Sequence, residues 1–323
     1  MNKPKLRYFR HESKGLFCLW PECPGRTSDR NFGHIVRHGY YYRSSDRIWV
    51  TRFKCKTCRH TFSRATLHPC LMQKKRHMNF PLWHQLCSNV SLTRAARLLR
   101  LNRKTVSRKQ RFLGAQAVLL QRQWLSEYTK QGTAPVRLVQ FDEMETFEHT
   151  KRKPVSIPLV VEEGTRYLLA VEACKMASKT PLTARKKQDG PWRSERFGTL
   201  RRVLKELKPH VLPEAQFSSD SQPQYPSVLQ KVFPQAKHLK YPSRRAAPIG
   251  QGELKVGAHD PLFSLNHTAA MFRANVSRLI RKTWCTTKNI DRLRDHLAMY
   301  AVWHNQMIRE SRNPRGTAIA AAS

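Results

Sequence analysis

The chain has 323 residues, enough for two or three domains, and 40% of them are hydrophobic, so it can fold around real cores. Lysine and arginine number 60 against 22 aspartates and glutamates, which gives a net charge of +38. There is no run of about 18 apolar residues, and no apolar stretch follows the charged N-terminus. These features argue against a membrane span and a secretory signal, and they predict a cytoplasmic protein.

The charge predicts a polyanionic partner. Residues 1–133 carry 28 basic and 5 acidic side chains, and residues 134–323 carry 32 and 17. Basic side chains in such excess repel one another unless a polyanion compensates their charge. The phosphate backbone of a nucleic acid is the expected polyanion. A ribosomal-type protein, or one with a merely basic surface, is the alternative.

Two short-spaced cysteine pairs in residues 1–72 predict a zinc ribbon. The pairs are Cys18-x4-Cys23 and Cys55-x2-Cys58, with 31 residues between them. Structural Zn²⁺ takes four ligands at tetrahedral corners, and two such pairs supply them. Phe53 and Phe62 bracket the second pair and are expected to pack beneath it. The alternatives are unliganded buried cysteines, or replacement of one ligand by His34, His38, His60 or Cys70.

Residues 78–131 predict a helix-turn-helix DNA-binding domain. Ala95 and Ala96 are small enough for two helices to cross closely, Leu98 and neighbouring leucines supply apolar contacts, and Asn102 can cap the second helix. That helix would enter the major groove with outward side chains, namely Arg103, Lys104, Thr105, Ser107 and Arg108. A connecting helix is expected at 115–128. An amphipathic surface helix pair is the alternative.

Residues 135–312 alternate strand and helix patterns. Strands are predicted at 136–143, 157–161, 167–171, 215–220 and 236–241, with helices at 197–207 and 225–233. This is the order of a ribonuclease-H-like (RNase H-like) nuclease core. Asp142 and Asp220 would sit on neighbouring strands and hold Mg²⁺, which prefers oxygen ligands. The alternative is a solvated acidic run of Asp142, Glu143, Glu145 and Glu148.

The chain as a whole resembles small bacterial insertion-sequence transposases of the DDE class. The resemblance covers nearly its whole length. Its most specific carriers are Phe141-Asp142-Glu143, Ser219-Asp220 with Tyr225 downstream, Leu265-Asn266-His267-Thr268, Met271-Phe272-Arg273 and Arg278-Leu279-Ile280-Arg281-Lys282.

The resemblance implies a catalytic set of Asp142, Asp220 and Asn266 that binds Mg²⁺ or Mn²⁺. Asn266 stands where the family has a glutamate, at the start of a helix, so its carbonyl oxygen can still reach a metal but one negative charge is lost. Glu253 and Asp260 are rivals for this position, and capping of the helix is the alternative role for Asn266. The resemblance also implies phosphate contacts from Arg273, Arg278, Arg281 and Lys282.

The sequence therefore predicts a multidomain transposase with structural Zn²⁺. It consists of a zinc ribbon (1–72), a helix-turn-helix bundle (78–131) and an α/β RNase H-like domain (135–312). The resemblance implies that it binds double-stranded DNA at the ends of a mobile element, cleaves and transfers strands, and acts as a homodimer or larger assembly at the bacterial nucleoid. Two alternatives stay open: an inactive, transposase-derived DNA-binding regulator, and a general nuclease or recombination factor.

Overall fold

A computed structural model describes residues 16–26, 34–44, 47–130, 135–177, 193–242, 260–280 and 285–312. The chain divides into two compact units, one formed by residues 1–79 with 322–323 and the other by residues 80–321. Each unit is described by itself. The three-domain division at 1–72, 78–131 and 135–312 stays a prediction.

The first unit is built on a three-stranded antiparallel sheet. Its elements are β1 (Ile35–Arg43), β2 (Ile48–Cys55), β3 (Thr61–Ser63) and the short helix α1 (Arg64–Leu67). The strand order is β1-β2-β3. Phe53 is fully buried and its ring lies 5.9 Å from that of Phe62, as predicted. Among the described residues of this unit, the core around these rings is small, and the four cysteines form much of it.

The second unit opens with three helices. They are α2 (Asn79–Leu86), α3 (Leu92–Leu98) and α4 (Arg103–Lys130). Ser91 accepts a hydrogen bond from the Arg94 amide at 3.3 Å and begins α3, and Asn102 accepts one from the Lys104 amide at 2.8 Å and begins α4. Ala95 is fully buried, as predicted, but Leu98 is 58% exposed, so the apolar contact expected of Leu98 is wrong.

A mixed sheet forms the centre of the second unit. Its strands are β4 (Val136–Phe147), β5 (Pro154–Glu162), β6 (Leu168–Val171), β7 (Cys174–Lys175), β8 (Val211–Asp220) and β9 (Lys237–Tyr241). They follow the order β6-β5-β4-β8-β9, and β7 pairs with β5. The first three strands form an antiparallel meander, and β8 and β9 run parallel to β4. The predicted α/β class is confirmed, and the order and directions of the strands resemble those of an RNase H-like core.

Four further helices lie in the described residues of the second unit. They are α5 (Arg196–Glu206), α6 (Tyr225–Val232), α7 (Phe263–Asn275) and α8 (Ile290–Arg312). Apolar side chains of α5 and α6 form one core with the inward residues of the sheet, including Phe141 and Phe217. Helix α7 packs on β4 and β5. Because Phe141 points into the core of α5 and α6, the alternating neighbours Gln140 and Asp142 lie on the other face of β4.

Helix α4 is continuous, and it contains residues 115–128, which are helical as predicted. Its 28 residues span about 42 Å and pack along α8. At Gly114 an added Cβ would lie 2.5 Å from Cβ of Asp295, so the two helices approach closely there. Helical spacing of the buried residues Val106, Leu113 and Ala117 continues through the segment, and no proline interrupts it. None of the described helices has both the length and the apolar character that a membrane span needs.

Candidate metal centre and active site

The four cysteines of the first unit come together. Their sulfur atoms all lie within 4.8 Å of one another, with 3.4 Å between Cys18 and Cys58 and 3.8 Å between Cys23 and Cys55. Tetrahedral Zn²⁺ with bonds of about 2.3 Å places its sulfur ligands about 3.8 Å apart. The donor set and its spacing therefore fit a structural zinc ion.

The alternative ligands do not join this cluster. His34 forms a hydrogen bond with Thr57 at 3.3 Å, and His60 stacks on Trp20 with 4.0 Å between ring centroids. His38 and Cys70 lie outside the four-cysteine group as well. Replacement of a cysteine by one of these side chains is thus wrong.

The turn between β2 and β3 prepares one thiolate. Burial raises the pKa of Cys55, but hydrogen bonds from the backbone amides of Cys58 and Thr57 outweigh it and lower this pKa to about 7. Burial raises the pKa of Cys18 to about 12. Since a thiolate is the form that binds zinc, Cys55 is better prepared for the metal than Cys18 by the protein alone.

The two predicted aspartates meet on neighbouring parallel strands. Asp142 lies in β4 and Asp220 ends β8. The register pairs Val139 with Phe217 and Gln140 with Ser218, so two residues further on it brings Asp142 opposite Asp220. Burial, and next the charge of Asp220, raise the pKa of Asp142 to about 6. A divalent cation would relieve this repulsion, so the pair fits an oxygen-ligated metal.

Both aspartates are held by neighbouring groups. The hydroxyl of Tyr225, a fully buried residue, donates to Oδ1 of Asp142 at 3.0 Å. Oδ1 of Asp220 accepts from the backbone amide of Gln222 at 3.1 Å. Burial, and then the charges of Asp142 and Glu143, raise the pKa of Tyr225 far above its ordinary value, so the hydroxyl remains a donor.

Glu143 and Glu148 are not part of a solvated acidic run. The side chain of Glu143 is fully buried and forms an ion pair with Arg196, with 2.6 Å from Nε to Oε2. Oε1 of Glu148 accepts from the amide of Ile290 at 3.0 Å, at the first residue of α8. The alternative of a solvated run is therefore wrong for these two residues, while Glu145 is exposed.

Gln140 fastens the beginning of α7 to the strand that carries Asp142. This side chain, 1% exposed, donates from Nε2 to the carbonyl of Pro261 at 2.9 Å and accepts at Oε1 from the amide of Leu265 at 3.0 Å. The first turn of α7 therefore lies against β4 two residues before Asp142. Sequence reasoning missed Gln140, although a polar residue within an otherwise apolar strand is a usable signal.

Asn266 lies within the first turn of α7. Its backbone amide already donates to the carbonyl of Leu262 at 2.9 Å, so its alternative role as an N-cap is wrong. Its side-chain Nδ2 donates to Oδ2 of Asp260 at 2.9 Å, while Oδ1 of Asp260 accepts from the amide of Leu262 at 2.9 Å. Asn266 and Asp260, the two candidates for the third position that lie in the described residues, are thus joined to each other.

The third ligand is not completed by an acidic side chain within the described part of the chain. No group of three or more acidic, histidine or cysteine side chains there contains both Asp142 and Asp220. Glu253 lies outside the described residues.

The predicted DNA-contacting residues lie in two places. Arg103, Lys104 and Arg108 are exposed at the beginning of α4, with Thr105 and Ser107 half-buried among them. Arg273 is exposed in the last turn of α7. Whether α3 and α4 form a DNA-binding helix-turn-helix stays a prediction.

Arg278 has a structural contact. It lies in a 3-10 turn, Ser277–Leu279, beyond the end of α7, so it does not continue the helix of Arg273. Its guanidinium donates to Oε1 of Gln110 on α4 at 3.3 Å. Arg281 and Lys282 lie outside the described residues.

Comparisons with known proteins find similarity among solved structures. No family model matches the chain, and no curated protein does. The crystal structure of the catalytic domain of Mos1 mariner transposase is 16% identical, with 63% of this chain and 88% of that chain covered and a TM-score of 0.29. The crystal structure of the Mos1 mariner paired end complex with Mn is 11% identical, with 71% and 75% covered and a TM-score of 0.26.

Proposed function

We propose that this chain is a metal-dependent DNA transposase that binds the ends of a mobile element, cleaves DNA strands there and joins them to target DNA. The observation that carries the proposal is the meeting of Asp142 and Asp220 on adjacent parallel strands of an RNase H-like sheet. The resemblance of the sequence motifs to DDE transposases gives the reaction.

Asp142, Asp220 and the carbonyl oxygen of Asn266 would hold Mg²⁺ or Mn²⁺. When bound, two such ions activate the attacking oxygen and stabilise the leaving oxygen of a phosphodiester. The residues of the chain fix the ligand positions: Tyr225 orients Asp142, and Gln140 anchors the helix of Asn266. With Asn in the third position the site carries one negative charge fewer, and the second ion is expected to bind more weakly.

The DNA is bound by basic residues in this proposal. The first turns of α4 would contact the element ends through Arg103, Lys104, Thr105, Ser107 and Arg108. Arg273, Arg278, Arg281 and Lys282 would track phosphates. Two ends must be brought together, so a homodimer or larger assembly is expected, and a Zn²⁺ ion would stabilise the first unit.

A cleavage and strand-transfer assay tests the proposal. The substrate is duplex DNA carrying the sequences that flank the gene, with Mg²⁺ or Mn²⁺, and wild type is compared with Asp220→Ala. The matched control is Asp291→Ala, because Asp291 is an exposed aspartate paired with Arg294 on α8. Wild type and the control should give end-specific products with a 3′ hydroxyl, and Asp220→Ala should give none. Products that survive in Asp220→Ala would contradict the assignment.

A second assay separates the two candidates for the third position. If Asn266 is the ligand, Asn266→Ala loses activity at least as strongly as Asp260→Ala. If Asp260 is the ligand, Asp260→Ala abolishes cleavage and Asn266→Ala only reduces it, since the asparagine then serves as a hydrogen-bond donor to Asp260.

Asn266 also favours a second function, that of a catalytically inactive DNA-binding regulator. That function predicts tight binding of the element ends by wild type without products in either metal, and unchanged binding in Asp142→Ala and Asp220→Ala. A general nuclease would instead cleave duplexes irrespective of the ends.

A further inference from the structure

A buried polar network lies beside Asp142, and the proposed metal site does not use it directly. Its centre is Glu143, whose side chain is fully buried. Oε1 of Glu143 accepts from the hydroxyl of Ser156 at 2.7 Å, and Oε2 accepts from Nε of Arg196 at 2.6 Å. A buried carboxylate is stable only when it is paired in this way.

The hydroxyl of Tyr225 lies between two carboxylates. Its oxygen is 3.0 Å from Oδ1 of Asp142 and 3.1 Å from Oε2 of Glu143. A phenol has one proton, so it can donate to only one of these oxygens at a time. Because the Arg196 cation already compensates the charge of Glu143, Asp142 is the stronger acceptor for the proton of Tyr225.

We propose that Arg196, Glu143 and Tyr225 form a bracing network that holds the Asp142 carboxylate in one orientation and so strengthens metal binding there. They are positioning residues, since each acts through Asp142. The inference rests on the proposed function, in which Asp142 is a metal ligand.

The alternative, that Glu143 is itself a ligand, conflicts with its contacts. Both of its oxygens accept hydrogen bonds, Oε1 from Ser156 and Oε2 from Arg196, and its side chain has no exposed surface. Phe141, the neighbour of Asp142 in β4, lies 5.0 Å from the ring of Tyr225, so packing also fixes the hydroxyl in place. The network joins β5, α5 and α6 to a single oxygen of Asp142.

The sharpest variant is Tyr225→Phe, which removes the hydroxyl and keeps the ring. Its matched control is Tyr167→Phe, because Tyr167 is also a buried tyrosine and its hydroxyl has no hydrogen-bond partner among the described residues. Arg196→Gln leaves the charge of Glu143 uncompensated, so that Oε2 competes more strongly for the proton of Tyr225. Arg202→Gln is its control, since Arg202 lies on the same helix with its side chain 56% exposed.

Mn²⁺ binding to the full-length, zinc-loaded protein gives a readout that does not depend on catalysis. Free Mn²⁺ is measured by electron paramagnetic resonance, and the binding lost in Asp142→Asn defines the signal of this site. Loss of a group that orients a metal ligand typically weakens affinity about 10- to 100-fold. We expect Tyr225→Phe and Arg196→Gln to raise the Mn²⁺ dissociation constant by about tenfold or more, and both controls to leave it unchanged. Arg196→Lys should restore most of the affinity, because Arg196 uses a single donor, Nε, toward Glu143.

The outcomes separate the inference from the proposed function. An unchanged dissociation constant in Tyr225→Phe, with a clear signal dependent on Asp142 in wild type, would overturn the bracing network and leave the metal site standing. A wild type without any Mn²⁺ signal dependent on Asp142 would overturn the metal site and the network with it. If Mn²⁺ binding is weaker in Tyr225→Phe and unchanged in Tyr167→Phe, the result supports the network. This holds even if Arg196→Gln does not fold.

Discussion

The two candidate metal sites are assembled in opposite ways. The cysteine cluster takes its ligands in two pairs, and each pair lies within a few residues of chain. The aspartates are far apart in sequence and meet only because β4 and β8 are parallel and in register. Ligands on one turn can be found from spacing, whereas ligands on neighbouring strands can be found only if the strand order is predicted as well.

The sites also differ in what holds them without a metal. Among its described residues, the first unit has a small core, and the four cysteines that would bind zinc are part of it. In the second unit the carboxylates border a large apolar core, and buried partners such as Tyr225 hold them. Removal of the metal should therefore unfold the first unit, whereas the second unit should stay folded without its metal.

The largest expected effect is on the cysteine cluster. Cys55→Ser, or removal of zinc by a chelator, should unfold the β1-β2-β3 sheet, because structural Zn²⁺ contributes about 10–16 kcal/mol of binding free energy that such small units use to fold. Zinc content and the NMR spectrum of the strand residues measure this. Cys285→Ser is the control and should retain one zinc per chain. A Cys55→Ser protein with full zinc content and an unchanged spectrum would contradict the four-cysteine site.

Arg196→Gln should give the next largest effect. It leaves the Glu143 carboxylate buried without its ion partner, and breaking such a pair costs about 3–5 kcal/mol. Arg202→Gln removes an exposed ion pair with 3.8 Å between the charged groups and should cost less than about 1 kcal/mol. Urea denaturation of both variants gives the free energies of unfolding. Equal losses would show that the Glu143 pair is not buried as described.

Ionisation of Asp142 should be visible in the pH dependence of the free energy of unfolding. Its folded pKa is raised to about 6, from 3.8, by burial and by Asp220. A raised pKa means that the folded state prefers the protonated form. Asp142 therefore makes its full contribution to the free energy of unfolding below about pH 4. This contribution, on the order of 2–3 kcal/mol, is lost as the pH rises to about 6 and beyond.

The metal-free Asp142→Asn variant should not lose stability in this way as the pH rises. The free energy of unfolding, measured between pH 4 and 7 for both proteins, tests this expectation. Saturating Mg²⁺ should restore part of the stability above pH 6, where the carboxylate is ionised. Identical pH profiles of wild type and Asp142→Asn would contradict the burial of the Asp142 carboxylate beside the charge of Asp220.

The smallest expected effect is at the contact of α4 with α8. Gly114→Ala places a Cβ 2.5 Å from Cβ and 2.7 Å from Cα of Asp295, so the helices must shift, at about 1–3 kcal/mol. Gly198→Ala on α5 meets nothing within 4 Å and should stabilise by up to about 1 kcal/mol. Thermal unfolding of the two variants shows whether each substitution lowers or raises the stability. Stabilisation by Gly114→Ala would show that these helices are not in close contact.

Local patterns were enough for much of the fold. The strands that end in Asp142 and Asp220, the helices near 197–207 and 225–233, and the cap at Asn102 all follow from apolar periodicity and from residues that act on their own backbone. Residues 115–128 are helical as predicted too, but only the fold shows that α4 is continuous and packs on the distant α8.

The sequence by itself determined the two cysteine pairs and the positions of the strands along the chain, since both depend on residues near one another in sequence. Only the tertiary structure decided which polar groups pair inside: Glu143 with Arg196, Gln140 with the first turn of α7, and Asn266 with Asp260. The physical reason is that a buried polar group must find a partner wherever packing brings one, and that partner can lie anywhere in the sequence.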